Sequence, residues 1–317
     1  MVDFQIGKTD QGQFSLTRRF SGTKGFIDEM TLWRVRWLFH VEGYSLMNSS
    51  FSTSPHTVPE RLLAFSGALW FLVAAIGQWI FVYYIAANYI PVLAVDGLPG
   101  MDKTAVPDGY VEGDLVGNLA IVFHVLVAMI IIGGGTFQLT PQIRNRFPKF
   151  HRYLGRTYVV CAVLTSFAGL HLVWTRGVPG GLLAHYAISL DAILIILFAG
   201  IAVYFAVNRK FDQHRRWAMR LFIVSSAVWF FRIGLMFWFL ATGGIGIDPE
   251  TFSGPFITFI YFGQMIIPLF LLQIYFWAQD TGSAVGKVMT SLLIVVVTFA
   301  TAAGIFAATM GMWLPRM

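Results

Sequence analysis

The chain has 317 residues, of which 56% are hydrophobic and only 12% charged, with a formal net charge of +6. Soluble domains carry about 25% charged residues, so the composition argues against a soluble fold and for a polytopic membrane protein. Nucleic acid is not the implied partner of the positive balance, because the basic residues cluster at the ends of apolar segments, as membrane insertion requires.

Residues 1–60 are mostly polar and show no sustained helical period. Within them TLWRVRWLFHVEGYSLM has the make-up of a short interfacial helix. Met47 opens a polar leader into the first apolar segment and is an alternative start, which would place residues 1–46 outside the native protein. The expected organisation is a cytoplasmic segment over 1–60 and a transmembrane domain over 61–317.

A spanning helix needs about 20 mainly apolar residues. Seven segments qualify, over 62–90, 117–139, 153–175, 182–207, 217–242, 255–278 and 288–313. The second connection is ringed by Arg144, Arg146, Lys149, Arg152 and Arg156, and the fourth by Arg209, Lys210, Arg215, Arg216 and Arg220. The first carries Asp96, Asp102, Asp108, Glu112 and Asp114 against Lys103 alone, and the fifth carries Asp248 and Glu250. The positive-inside bias then predicts a multi-pass protein of the cell (inner) membrane, with the N-terminus cytoplasmic and the C-terminus outside. The fold class expected is an all-α integral membrane protein of seven helices.

Two basic connections share a phrase. NRFPKFHRYLGR begins at Asn145 and NRKFDQHRRWAMR at Asn208, and both set Asn-Arg four residues before His-Arg. His151 and His214 are therefore offset by the same interval as the two asparagines. Upstream, His124 and His185 repeat at nearly the same spacing. Spans two to five are thus expected to form a four-helix core built from two similar hairpins, as tandem repeats do elsewhere in membranes. At 1.5 Å per residue, His124 lies about 10 Å and His185 about 5 Å inside the outer edge. His151 and His214 lie together at the inner boundary.

Neutral imidazole binds haem iron, and ligation by two histidines suits electron transfer. Diagonal helices of an up-down bundle face each other across the core. That pairing would set His151 against His214 on the inner side and His124 against His185 on the outer side. A histidine and arginine at a helix start also fit lipid phosphate, through free N–H groups and a guanidinium fork.

The arrangement resembles the ascorbate-dependent transmembrane cytochromes b, and HRYLGR resembles the His-Arg-x-x-Gly phrase of ferric-reductase-type membrane domains. These resemblances imply b-type haem, with His151, His214, His124 and His185 on iron. Arg152, Arg215 and Arg232 are then expected at propionates, with a redox partner on one face. Unlike those proteins, this chain sets His151 and His214 at helix ends. A further resemblance runs over roughly 117–242. HVLVAMIIIGGGTFQLTPQIRNRFPKFHRYLGRTY, then HRRWAMRLF and Arg232, is similar to the bacterial predicted membrane-protein family called domain of unknown function 2306. Matching positions include His124, Gly135, Gln138, His151, Gly155, Tyr158, His214, Trp217 and Arg232, but not His185. That family implies no activity.

Asp191 and Arg232 fall at one depth on antiparallel spans, about 14 Å from the outer edge. A lone charge there is costly, so an Asp191–Arg232 ion pair facing the interior is expected. It would either fix helix register or contact a ligand. Gly133, Gly134 and Gly135 permit close helix approach or room for a flat ring. Cys161, the only cysteine, excludes a disulfide within the chain and covalent haem attachment by CxxCH. No Walker loop, GxSxG, HExxH or GxGxxG is present. Beside haem-based electron transfer stand two alternatives. One is a haem-free transporter or small-molecule-binding protein using Asp191, Arg232 and His124. The other is an accessory subunit packed on a partner.

Overall fold

Apolar runs of this length satisfy their backbone in hydrocarbon by coiling. The computed structural model describes residues 4–8, 14–18 and 57–317, apart from 105, 107 and 282. Two compact units divide after Ser52. In the first, β1 (Phe4–Lys8) and β2 (Phe14–Arg18) form an antiparallel ribbon with Phe4 opposite Arg18. The stretch read as an interfacial helix lies outside the described residues.

The second unit is helical. Its helices are α1 (Val58–Asp96), α2 (Leu115–Leu139), the short α3 (Pro141–Arg146), α4 (Pro148–Thr175), α5 (Gly181–Val207), α6 (Phe211–Ser225), α7 (Ala227–Thr242), α8 (Pro255–Thr281) and α9 (Ala284–Ala308). Local chemistry sets several starts. Glu60 and Thr57 form a capping box on α1, while Asp114 and Ser283 accept from Gly117 N and Gly286 N to cap α2 and α9. These bonds satisfy amides that the first turn leaves unpaired.

Six helices are long and apolar enough to cross a membrane, and α6 with α7 makes a seventh if the bent pair is one span. The expected straight span over 217–242 is therefore corrected: α6 and α7 meet at a bend of 55°. The cause is the Ser225–Ser226 pair, a type of sequence that kinks helices. Gln78 on α1 donates to Ser226 Oγ at 3.0 Å and steadies the break.

Helices α2, α4, α5 and α6 pack in a ring, α2 on α4, α4 on α5 and α5 on α6, closed by α6 on α2. This makes α4 and α6 diagonal. Helix α9 packs on α1 and α7, and α8 against α5, α6 and α7. The glycine triplet is a packing device. Gly133 faces Trp79, Gly134 faces Leu154 and Gly135 faces Phe222 and Tyr158. One bare turn of α2 thus seats α1, α4 and α6, and the space expected for a flat ring holds these side chains instead.

Candidate functional site

The basic end of the bundle places the repeated phrase. His151 is the fourth residue of α4 and His214 the fourth of α6. Each amide donates to the residue preceding its helix, His151 N to Phe147 O at 3.0 Å and His214 N to Lys210 O at 2.9 Å. The two imidazoles stand in one register on diagonal helices, near enough to interact electrostatically. Their connections differ. Asn145 and Arg146 end α3, whereas Asn208 caps α5 and Arg209 turns the chain with φ of 57°. The repeat is kept where the helices begin and lost in the loops.

His214 Nδ1 lies 2.9 Å from the Ala202 carbonyl of α5. A carbonyl only accepts, so Nδ1 carries the proton and Nε2 is left as the ring's lone-pair nitrogen. His151 Nδ1 is buried without a hydrogen-bond partner. Its backbone is fixed by Gln138, whose amide donates to His151 O at 3.0 Å. Gln138 reaches it across Gly155, where any side chain would stand 3.2 Å from Gln138 Oε1. Arg144 and Arg152 lie beside His151, and Arg215 near Tyr275.

The other arginines of the second phrase are ties to α8. Arg216 grips Asp280 through two hydrogen bonds of 2.8 and 2.5 Å. Arg220 donates to Gln273 at 2.8 Å and lies over the rings of Trp217 and Phe276.

Toward the acidic end, the expected pairing of His124 with His185 is corrected. The His124 ring packs on α4 at Gly169. His185 bonds back through Nδ1 to Gly181 O at 2.9 Å, stands edge-on to Trp174 and reaches Gly177. The two contacts on α4, Gly169 and Trp174, are five residues apart, about 8 Å along a helix. Two ligands of one iron would have to share a depth. First-turn geometry ties His185 to its own helix.

The expected Asp191–Arg232 ion pair is also corrected. Among the described residues no ion pair joins them. Asp191 Oδ1 is buried without a hydrogen-bond partner. Arg232, one turn beyond the start of α7, donates to Val228 O at 3.2 Å and lies 5.3 Å over the Phe81 ring. The break at Ser226 bends α7 by 55° from the line of α6. Arg232 is close enough to His124, Tyr84, Tyr89 and Tyr261 to act on them electrostatically.

Residues 121–248 match the model of the predicted membrane protein family DUF2306. This is the family that the two histidine phrases and Arg232 resemble. No curated protein and no solved structure matches the chain. The DUF2306 match runs from α2 to the loop after α7, so it holds His124, His151, His185, Asp191, His214 and Arg232. It leaves α1, α8 and α9 outside.

One site at the acidic end has no signature in the sequence. Arg176, which closes α4, binds Asp114 Oδ2 through two nitrogens at 3.1 and 2.8 Å, Asn118 Oδ1 at 2.7 Å and Asp108 O at 2.7 Å. The Gly117 amide and then Arg176 hold the Asp114 carboxyl below the usual carboxylate range. A run of acids in the first connection was legible as a topology signal, but nothing in it named a partner 62 residues on.

Proposed function

We propose that this multi-pass membrane protein binds one b-type haem at the basic end of the bundle, through His151 and His214, and passes electrons there. The observation that carries the reading is the His214 Nδ1 bond to Ala202 O. A ligating histidine characteristically donates its other ring nitrogen to a carbonyl, which fixes tautomer and ring orientation. The buried and unpartnered ring nitrogen of His151, in the same register on the diagonal helix, supplies the second donor.

When bound, haem would supply one-electron chemistry. The chain's own residues do the positioning. Gln138 and Gly155 fix the backbone under His151, Ala202 orients His214, and Arg152 and Arg144 offer cations for propionates. The cytoplasmic side follows from the positive-inside pattern, with an electron donor or acceptor expected there. A reduced-minus-oxidised visible spectrum of the protein purified from haem-replete cells tests this. A sharp α-band lost in His151→Ala or His214→Ala is expected, and a colourless wild type overturns it.

A second reading is favoured by the break at Ser226. Broken spans with polar groups near mid-membrane are how transporters and small-molecule-binding bundles build interior sites. Here Arg232 follows the break and lies near His124 of α2, and the buried indole N–H of Trp229 has no partner. Saturable stabilisation by a small molecule, lost in Arg232→Gln, would support this reading.

A further inference from the structure

Two guanidinium groups come together at the acidic end of the bundle, neither paired with a carboxylate among the described residues. Arg232 comes from α7 and Arg316 from the turn that follows α9. Each acts electrostatically on the hydroxyl of Tyr89, and the two repel one another. The geometry that joins them is a ladder of rings. Arg232 stands over Phe81, Phe81 lies 5.2 Å from Trp313 and 6.0 Å from Tyr84, and Tyr84 meets Tyr89 edge-on at 6.3 Å. Trp313, fully buried, sits three residues before Arg316.

Three carboxylates of the acidic connections have partners of their own. Asp96 pairs with Lys103 at 2.8 Å, Asp114 with Arg176 at 2.8 Å, and Asp248 accepts from Thr251 and the Glu250 amide. Arg232 bonds to a carbonyl of its own helix, and Arg316 likewise to Met312 O. Neither forms an ion pair among the described residues. An unpaired cation inside a bilayer is costly, and a second like charge nearby raises that cost. The buried Trp313 indole N–H also has no hydrogen-bond partner.

We propose that this end of the bundle holds a site for a small organic anion, a carboxylate or phosphate carried on an apolar body. Arg232 and Arg316 supply the charge, Tyr84 and Tyr89 the neutral hydroxyl donors, and Trp313 a wall for the apolar part; the nearby Tyr261 hydroxyl already donates to Pro179 O at 2.6 Å. Arg232 is the inner anchor. Arg316, exposed on the last turn, is the outer one, so the anion enters from the face opposite the basic loops. The proposal rests on the small-molecule reading and is independent of the histidine pair. It draws on α1, α7, α8 and the C-terminal turn, mostly outside the DUF2306 match.

The test is thermal unfolding of the full chain in a neutral detergent with benzoate, with inorganic phosphate, with sodium chloride at matched ionic strength, and with benzyl alcohol. Benzoate is expected to raise Tm saturably, well beyond chloride. Arg316→Gln should weaken the apparent affinity about tenfold or more, the loss of one charged hydrogen bond, and Arg232→Gln should abolish the effect. Arg316 is exposed, so its variant tests the site even if Arg232→Gln fails to fold. Equal stabilisation by chloride, or an undiminished benzoate effect in Arg316→Gln, overturns the proposal.

Stabilisation by benzyl alcohol alone overturns the anion while leaving a small-molecule site. No stabilisation by any probe, in detergent or in nanodiscs, overturns both. Nanodiscs of phosphatidylglycerol against phosphatidylcholine separate the two sources of anion. Stabilisation by phosphatidylglycerol that benzoate reverses assigns the site to a lipid phosphate, and stabilisation by benzoate or phosphate in phosphatidylcholine assigns it to a free anion.

Discussion

Gln138 donates its side-chain amide to the main-chain carbonyl of His151 at 3.0 Å, passing over the bare α-carbon of Gly155. This single bond ties the end of α2 to the first turn of α4. It also explains why a glycine stands one helical turn after His151. The phrase HRYLGR reads in the sequence as a ligand motif; in the fold its glycine makes room for a clamp.

Removing that clamp has a graded cost. Gln138→Ala is expected to lower stability by about 1 kcal/mol, the net value of one hydrogen bond. Gly155→Leu should cost more, because its side chain displaces Gln138 and must itself find space. The double variant should lose less than the sum of the two, since both break one bond. Thermal unfolding of the four proteins in one detergent measures this, and strict additivity would rule the clamp out.

Neighbouring glycines of α2 are expected to differ. A β-carbon at Gly135 would stand 2.8 Å from Phe222, whereas one at Gly133 meets Trp79 at 3.4 Å. Gly135→Ala should cost about 1–3 kcal/mol by overpacking. Gly133→Ala should be near neutral, helped by alanine's better helix propensity. Equal melting temperatures for the two would show that α2 and α6 are not packed this tightly.

Acid should loosen the other end. Asp114 has its carboxyl pKa depressed by the Gly117 amide and by Arg176. A depressed folded pKa gives stability that is full above the usual carboxylate range and is lost as pH falls through the folded value. Wild type should therefore lose Tm on acidification, and Asp114→Asn should start lower at neutral pH with a flatter acid limb. Melting curves between pH 3 and about 7 test the sign. Parallel limbs would place the acid sensitivity elsewhere.

The two arginine ties to α8 should respond differently to salt. Arg216 and Asp280 are partly exposed, and such pairs are worth about 0.2–1 kcal/mol and weaken with ionic strength. Arg220 also covers the rings of Trp217 and Phe276, so Arg220→Ala loses packing as well as charge. Asp280→Asn should matter only in low salt, and Arg220→Ala in both. Unfolding at low and high sodium chloride distinguishes them.

The membrane character, the positions of the spans and the alternation of basic and acidic connections were legible in the sequence. Each depends on local composition measured against one length, the thickness of hydrocarbon. The common register of His151 and His214 was legible for the same kind of reason. Equal spacing along two chains becomes equal height along two helices.

Whatever depends on helix rotation was not legible. Depth alone set Asp191 beside Arg232, and counting residues cannot say which way each side chain faces. The break at Ser226 redirects α7, leaves Arg232 over Phe81, and separates it from Asp191. The His124–His185 pair failed because the two rings meet α4 at different heights, at Gly169 and at Trp174. Partners far apart in sequence, such as Arg176 with Asp114 and Gln78 with Ser226, follow from packing alone. Sequence by itself fixes how deep a residue lies in this protein, because rise per residue is nearly constant. Only the tertiary structure decides what it faces, because that is set by kinks, glycine contacts and the competition of nearby carbonyls for each donor.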